Sequence, residues 1–253
     1  MTQTTPPRRH ADLESKQFDA IVIGSGMGGM ACASALARFN RKVLVLEQHY
    51  VAGGFTHTFS RKGFTWDVGV HCVGEMEENR IPGKILKWLT DGQVKMNSLG
   101  SPYDFFVYPD GRRVDLPNTS KAFRAELVKH FPQEEAAIDR YLTLVREAAH
   151  SVKPHMVLRF LPMWAEKLAS PFLRRTSLKW WGKTTKEVLD SLTANETLKA
   201  VLAGQWGYYG SPPSRSSFAM HAITVRHFWN GGFYPVGGAQ VLAEHILAAV
   251  TRA

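Results

Sequence analysis

Gly24, Gly26 and Gly29 constrain this chain more than any other residues. They stand at G-x-G-x-x-G spacing directly after the apolar run Ala20–Ile23, whose Ile and Val content suits a strand buried on both faces. The first glycine permits a tight turn, the second lets backbone approach a pyrophosphate, and the third allows close packing of helix on strand. Gly28 adds a further small residue. The following stretch predicts a helix from Met27 to Phe39, with Ala31, Ala33, Ala35 and Ala37 small enough to lie close to a sheet. Its N-terminus offers free N–H groups and the positive end of the helix dipole, which suit a diphosphate. Asn40 tolerates the left-handed conformation and is read as the stop.

Lys42 to Leu46 predicts a second strand, closed by Glu47. A carboxylate about 20 residues past the glycines is placed to accept hydrogen bonds from a ribose hydroxyl pair, and it disfavours the 2′-phosphate of NADP. A lone glycine fingerprint says little. Strand, turn, helix, second strand and terminal acid together specify a dinucleotide-binding βαβ unit. Gly53 and Gly54 then return the chain towards the pyrophosphate with no side chains in the way, which favours FAD over NAD. The fold class expected is α/β: a Rossmann-like FAD/NAD(P)-binding βαβ unit, an incomplete doubly wound sheet, followed by a largely helical region facing substrate or membrane.

GSGMGGM (24–30), VLVLEQHYVAGG (43–54) and GFTWDVGVHCVG (63–74) resemble the phytoene desaturase, carotenoid isomerase and all-trans-retinol 13,14-reductase group of FAD-dependent oxidoreductases. The retinol saturase branch is the most similar, because EQH follows the second strand and DVGVH the first hairpin. The resemblance returns in GQWGYYGSPPSRSSFAMHA (204–222) and WNGGFYPVGGAQVLAEHI (229–246). It implies FAD as cofactor and a hydrophobic polyene or isoprenoid as substrate, with reduction, desaturation or isomerisation of a double bond as the reaction. The cofactor-binding set is then Gly24, Ser25, Gly26, Met27, Gly28, Gly29, Glu47, Gln48, Gly53 and Gly54. NAD(P)H would be an external electron donor, since nothing in the chain constitutes a separate NAD(P)H domain. A flavin amine oxidase, which shares the opening motif, is the rival among enzymes.

Four regions follow from the pattern: a disordered lead-in (1–17), the nucleotide segment (18–75), a mixed and then helical substrate-binding region (76–228), and a return towards the nucleotide domain (229–253). Residues 57–74 suggest two short strands around Lys62-Gly63, and Pro109-Asp110-Gly111 suggests a second hairpin turn. Phe123, Leu127 and Phe131 share one helical face, and Ile138, Leu142 and Val145 another, with Pro132 suiting the first turn of the second helix. Thr184 and Glu187 have capping-box spacing. Asn195 is read as opening the next helix, Ser216 to Phe228 as helical, and Ala239 to Val250 as the final helix. In the resembled family that helix leads into a further strand, so a missing C-terminal half or a second chain is expected to complete the sheet. A truncated, non-catalytic chain that binds a membrane or a partner is the alternative from another class.

Lys153 to Lys183 combines cations with Phe160, Met163, Trp164 and Leu168 near helical spacing, with Arg174, Arg175 and Lys179 beyond them. One reading is an interfacial helix pair that contacts an anionic membrane surface; the other is a core-facing hairpin with a solvated basic side. The net charge of +9 suits an anionic surface. No nucleic-acid motif accompanies it, so no nucleic-acid partner is expected. No apolar run reaches the ~18 residues of a spanning helix, and Cys32 and Cys72 lack metal or redox spacing. A cytoplasmic chain, peripheral at most to a membrane, is expected, with no metal. Reduction of a double bond needs a proton, for which His71 is the candidate donor and His57 a weaker one. Asp67 is read as orienting a turn or a ribityl hydroxyl. Tyr208, Tyr209, His221 and His227 are the candidate substrate-lining residues.

Overall fold

The computed structural model describes residues 16–158 and 160–252, apart from the side chains of 155 and 172–177. The expected lead-in lies almost wholly outside the described residues, as do the side chains of Arg174 and Arg175. The elements begin with β1 (Ala20–Ile23), α1 (Met27–Arg38), β2 (Val43–Leu46), β3 (Thr58–Arg61), β4 (Phe64–Asp67) and α2 (Ile81–Leu89). Then come β5 (Met96–Ser98), β6 (Asp104–Val107), β7 (Arg113–Leu116), α3 (Ser120–His130), α4 (Glu135–Leu158) and α5 (Met163–Trp181). The chain closes with α6 (Thr185–Asp190), α7 (Glu196–Ala203), α8 (Phe218–His227), β8 (Phe233–Pro235) and α9 (Gln240–Arg252). They form two compact units. One holds the described residues up to Val70, Gly83–Lys95 and those from Pro235, the other His71–Pro82 and Met96–Tyr234.

In the first unit β1 pairs in parallel with β2, from Ala20 opposite Val43 to Ile23 opposite Leu46, joined through α1 as the glycine pattern requires. Asn40 ends the helix region at φ 58°. The hairpin of β3 and β4 turns on Lys62 and Gly63, both at positive φ. The small residues of α1 do more than approach the sheet. Met30 packs with Leu89, Ala243 and Ile246 in a buried cluster, and Ala31 lies against it, so α1 also carries α9. At the exposed ends of these elements Asp91 receives both Arg38 (2.5 Å) and Arg252 (2.6 Å).

The strand expected to be buried on both faces is not. Ile21 is 61% and Ile23 87% exposed. Alternation along a strand puts these two, with the register partners Leu44 and Leu46, on one face of the pair. The helices cover only the other face, the side of Val22, and among the described residues nothing covers this one.

The second unit is built on helices. Phe123 and Leu127 of α3 meet Ile138, Tyr141, Leu142, Val145 and Ala148 of α4, which recur at three- and four-residue spacing on a single face. Leu198, Val201 and Leu202 of α7 and Phe218, Ala219, Ala222 and Val225 of α8 complete the core. Pro132 lies in a short 3₁₀ turn that runs into α4 at Glu135. The hairpin of β6 and β7 is antiparallel, and β5 pairs with β8.

Thr184 caps α6 in both directions: its hydroxyl accepts the Glu187 N–H (3.1 Å), and the Glu187 carboxylate accepts the Thr184 N–H (2.7 Å). Thr184→Ala removes one half of this exchange and is expected to lower unfolding free energy by about 1 kcal/mol, measured by urea denaturation. Thr184→Ser should hold the loss to a small fraction of that. Equal losses for the two variants would show that the cap contributes nothing.

The basic–aromatic segment forms the end of α4, a short link and α5. Phe160, Met163, Trp164 and Leu168 are 70–83% exposed, whereas Trp180 is buried in the core. Among the described residues no helix is long and apolar enough to cross a membrane.

Candidate functional site

β1 delivers the chain to Gly24, whose φ of 93° turns it sharply. Gly26 then opens α1 without any side-chain cap and with no acidic residue in the first turn, so the first N–H groups and the positive dipole end are left for a ligand. The three motif glycines have different reasons to lack a side chain. A Cβ at Gly29 would lie 2.1 Å from the Gly24 carbonyl oxygen, whereas at Gly26 and Gly28 it would meet open space. Gly29 is thus demanded by the fold, and the bare backbone at Gly26 and Gly28 leaves room for a phosphate group to approach.

Ser25 ties the parts together. It is 1% exposed; its hydroxyl donates to Glu47 Oε2 (2.5 Å) and accepts the Gly53 N–H (3.0 Å), while its own N–H donates to the same carboxylate oxygen (2.7 Å). The His49 N–H donates to Glu47 Oε1 (2.8 Å). These bonds, the Ser25 hydroxyl first, hold the Glu47 carboxyl down at about 2, so it is ionised at any physiological pH. Two carboxylate oxygens offer about four acceptor positions, so Glu47 keeps capacity for ribose hydroxyls. Gly53 and Gly54 both have positive φ, and a Cβ at Gly54 would come 2.9 Å from Gly26 Cα. The second glycine pair therefore touches the first. Gln48 is exposed beside them.

Asp67 orients a turn: its Oδ1 accepts the Ala239 N–H (3.0 Å) just before α9. His57 is exposed, with Nδ1 2.5 Å from the Gly54 carbonyl oxygen. These contacts hold the chain around the second glycine pair.

The remaining candidates lie in the second unit. His71 is exposed, donates Nδ1–H to the Cys72 carbonyl (2.5 Å), and lies 4.9 Å from the Tyr208 ring. The Tyr208 hydroxyl donates to Asp104, and burial together with that bond raises its pKa well above the usual phenol value. Tyr209 instead reaches His221 Nδ1 (3.1 Å), whose Nε2 meets the Tyr141 hydroxyl (2.8 Å). His221 is fully buried in the helical core, where both ring nitrogens already have partners. His227 accepts the Gly74 N–H at Nε2 (2.6 Å) beside Glu75, within electrostatic reach of His71. It lines a cleft of about 630 Å³ with Arg226, Glu75, Arg80 and Lys153, charged residues that sequence spacing did not single out because they come from three distant segments. Among the described residues no group of three or more His, Cys, Asp and Glu could hold a metal.

A family model described as an NAD(P)-binding Rossmann-like domain matches residues 22–82. Over 255 aligned positions the chain is 40% identical to the human all-trans-retinol 13,14-reductase, across 96% of this chain and 41% of that protein. Along almost its whole length the chain is similar to the all-trans-retinol 13,14-reductases. It spans about two fifths of the length of these curated relatives. The likeness extends to prolycopene isomerase 1 of an Oncidium hybrid cultivar, 35% identical over 129 positions, 51% of this chain and 22% of that one. Among solved structures a putrescine oxidase superposes with TM-score 0.59 over 93% of this chain and 49% of that chain. At 18% identity that likeness is one of fold. Rossmann match and glycine geometry agree on a site for a nucleotide cofactor.

Proposed function

We propose that this chain supplies the adenine-half site of an FAD-dependent oxidoreductase acting on a carbon–carbon double bond of a hydrophobic polyene, with retinol-saturase-like reduction as the first choice. The observation that carries the reading is the single cradle formed by the Gly24–Gly29 turn, Ser25, Glu47 and the Gly53-Gly54 pair. Its open backbone at Gly26 and Gly28 fits a pyrophosphate, and its ionised acid fits a ribose. Flavin, when bound, accepts or delivers hydride. The chain's own residues do the rest. The α1 N-terminus holds the diphosphate, Glu47 accepts the ribose hydroxyls, and His71 with the Asp104-bound Tyr208 is the first candidate group for handling a proton. NAD(P)H is proposed as the external donor.

The bare face of Ile21, Ile23 and Leu46 belongs to the same reading. A parallel pair needs both faces covered, and we propose that a further length of polypeptide, such as the longer relatives carry, packs there. The exposed Phe160, Met163, Trp164 and Leu168 favour peripheral contact with an anionic membrane over a core-facing hairpin, which suits a membrane-dissolved substrate.

The reaction is tested by incubating the FAD-loaded protein with a reductant and all-trans-retinol. Loss of one conjugated double bond moves the polyene absorption to shorter wavelength; an unchanged polyene spectrum with reduced flavin persisting would contradict retinol as substrate. The ribose contact has its own test. Glu47→Gln keeps the shape but removes the charge, and is expected to weaken ADP binding by about tenfold or more, the effect of one charge-assisted hydrogen bond. Unaltered ADP affinity by calorimetric titration would remove Glu47 from the site.

A further inference from the structure

The cleft in the second unit has two unlike ends. One wall is apolar, made by Val152, Met156 and Val157 of α4 and Ile223 of α8. The other end is charged. Arg226 reaches Glu75 at 3.5 Å, and His227, with Nε2 accepting the Gly74 N–H, turns its Nδ1–H towards Glu75 at 3.9 Å. Burial lowers the His227 pKa, so at neutral pH this ring adds no charge. Arg80 and Lys153 also line the cleft, and among the described residues no acidic side chain pairs with either. Three cations therefore line the cavity against the Glu75 carboxylate, which already meets Arg226, and the Glu77 carboxylate lies near His227. Lys153 is exposed and keeps its ammonium in water, whereas Arg80 and Arg226 are half-buried beside apolar surface, where an anionic partner stabilises a guanidinium. The volume of about 630 Å³ lies within the range of small-molecule sites.

We infer that this cleft binds a single-chain lipid acid, its hydrocarbon tail along Val152, Met156, Val157 and Ile223 and its carboxylate between Arg80, Lys153 and Arg226. A neutral polyene alcohol or hydrocarbon would make no ionic contact with Arg80 or Lys153, so the site favours an anionic head group. Met156 and Val157, each about half exposed, form the rim of the cleft, and the chain continues from them to the exposed Phe160, Met163 and Trp164. The ligand can therefore enter from an apolar surface. All of these residues lie in the second unit, and the site stands independently of flavin binding and of the reaction proposed above.

The probe is cis-parinaric acid, a polyene fatty acid that fluoresces in apolar surroundings, titrated into the full chain alongside its methyl ester. The unaltered protein is expected to bind the acid at least about tenfold more tightly than the ester, the effect of a charge-assisted contact. Arg80→Gln combined with Lys153→Gln should abolish that preference while the ester still binds. Ile223→Trp, which fills the apolar end, should displace both ligands. Equal affinity for acid and ester on the unaltered chain, or no saturable binding of the acid, would overturn the inference without recourse to any variant. Unchanged binding by a folded Ile223→Trp protein, with folding checked by circular dichroism, would overturn the placement in this cleft.

Discussion

Gly29→Ala is expected to destroy nucleotide binding and to destabilise the first unit by about 3 kcal/mol or more, the upper end of overpacking penalties. The added methyl would sit 2.1 Å from the Gly24 carbonyl oxygen, with the carbonyl carbon at 3.2 Å and Val22 Cγ1 at 3.4 Å. Two of these three neighbours are backbone in the turn that the site is made of, so nothing can step aside cheaply. Either α1 lifts off β1 or the Gly24 turn deforms, and both outcomes move Ser25 away from Glu47 and Gly53. Gly28→Ala is the matched control. It lies one residue earlier in the same helix, meets open space, and should leave stability unchanged or raised by up to about 1 kcal/mol through helix propensity. Thermal or urea unfolding of the pair reads the difference. Similar stability for both variants would mean that the close approach at Gly29 does not exist in the folded protein.

The second large effect is a pH dependence seated in the helical core. Burial lowers the His221 pKa to about 4 from its ordinary 6.5. The unfolded chain binds the proton more tightly than the folded one, so protonation favours unfolding. The stability contributed by neutral His221 is complete above pH ~6.5 and is lost as pH falls towards ~4, at about 1.4 kcal/mol per pH unit. Between pH 6.5 and pH 5 the expected loss is therefore about 2 kcal/mol. His227 is also lowered by burial and adds to the loss with the same sign. Hydrogen bonding fixes the tautomer. The Tyr141 hydroxyl lies 3.3 Å from the Leu202 carbonyl, which can only accept, so Tyr141 donates there and accepts from His221 Nε2–H, leaving Nδ1 to accept from Tyr209. His221→Gln should flatten most of the slope between pH 7 and pH 5, and Tyr141→Phe should lower stability at pH 7 by ~1–3 kcal/mol by leaving buried polar groups unpaired. Urea unfolding across that pH range decides it. A slope that survives in His221→Gln would place the titrating group elsewhere.

Local signals in the chain were legible. The glycine spacing, the Asn40 stop, the Lys62-Gly63 turn, the Thr184–Glu187 box and the faces of α3 and α4 each depend on neighbours within a few residues, and each takes the expected form. What escaped depends on distant partners. Ile21 and Ile23 have the composition of a doubly covered strand, but composition states what a residue prefers and not whether a covering element is present. Ala31 reads as sheet-facing, yet it packs against a cluster that holds Ala243 and Ile246 of α9, some two hundred positions later. His221 and His227 look alike in sequence. One faces Tyr141 across the core and the other Gly74 and Glu75 beside a cleft, a distinction set by residues at long separation. Ser25 stood in the expected cofactor set, but its bond to Glu47 spans the whole βαβ unit and could only be seen once β1 and β2 were paired.

The most direct test of the nucleotide site is the visible absorption spectrum of the purified protein after incubation with FAD and removal of unbound ligand by desalting. The proposed FAD site predicts flavin bands that stay with the protein, and their loss in Gly29→Ala. A protein that passes through colourless, and that also fails to bind ADP by calorimetry, would contradict the assignment of Gly24–Gly29, Glu47 and Gly53-Gly54 as a cofactor cradle.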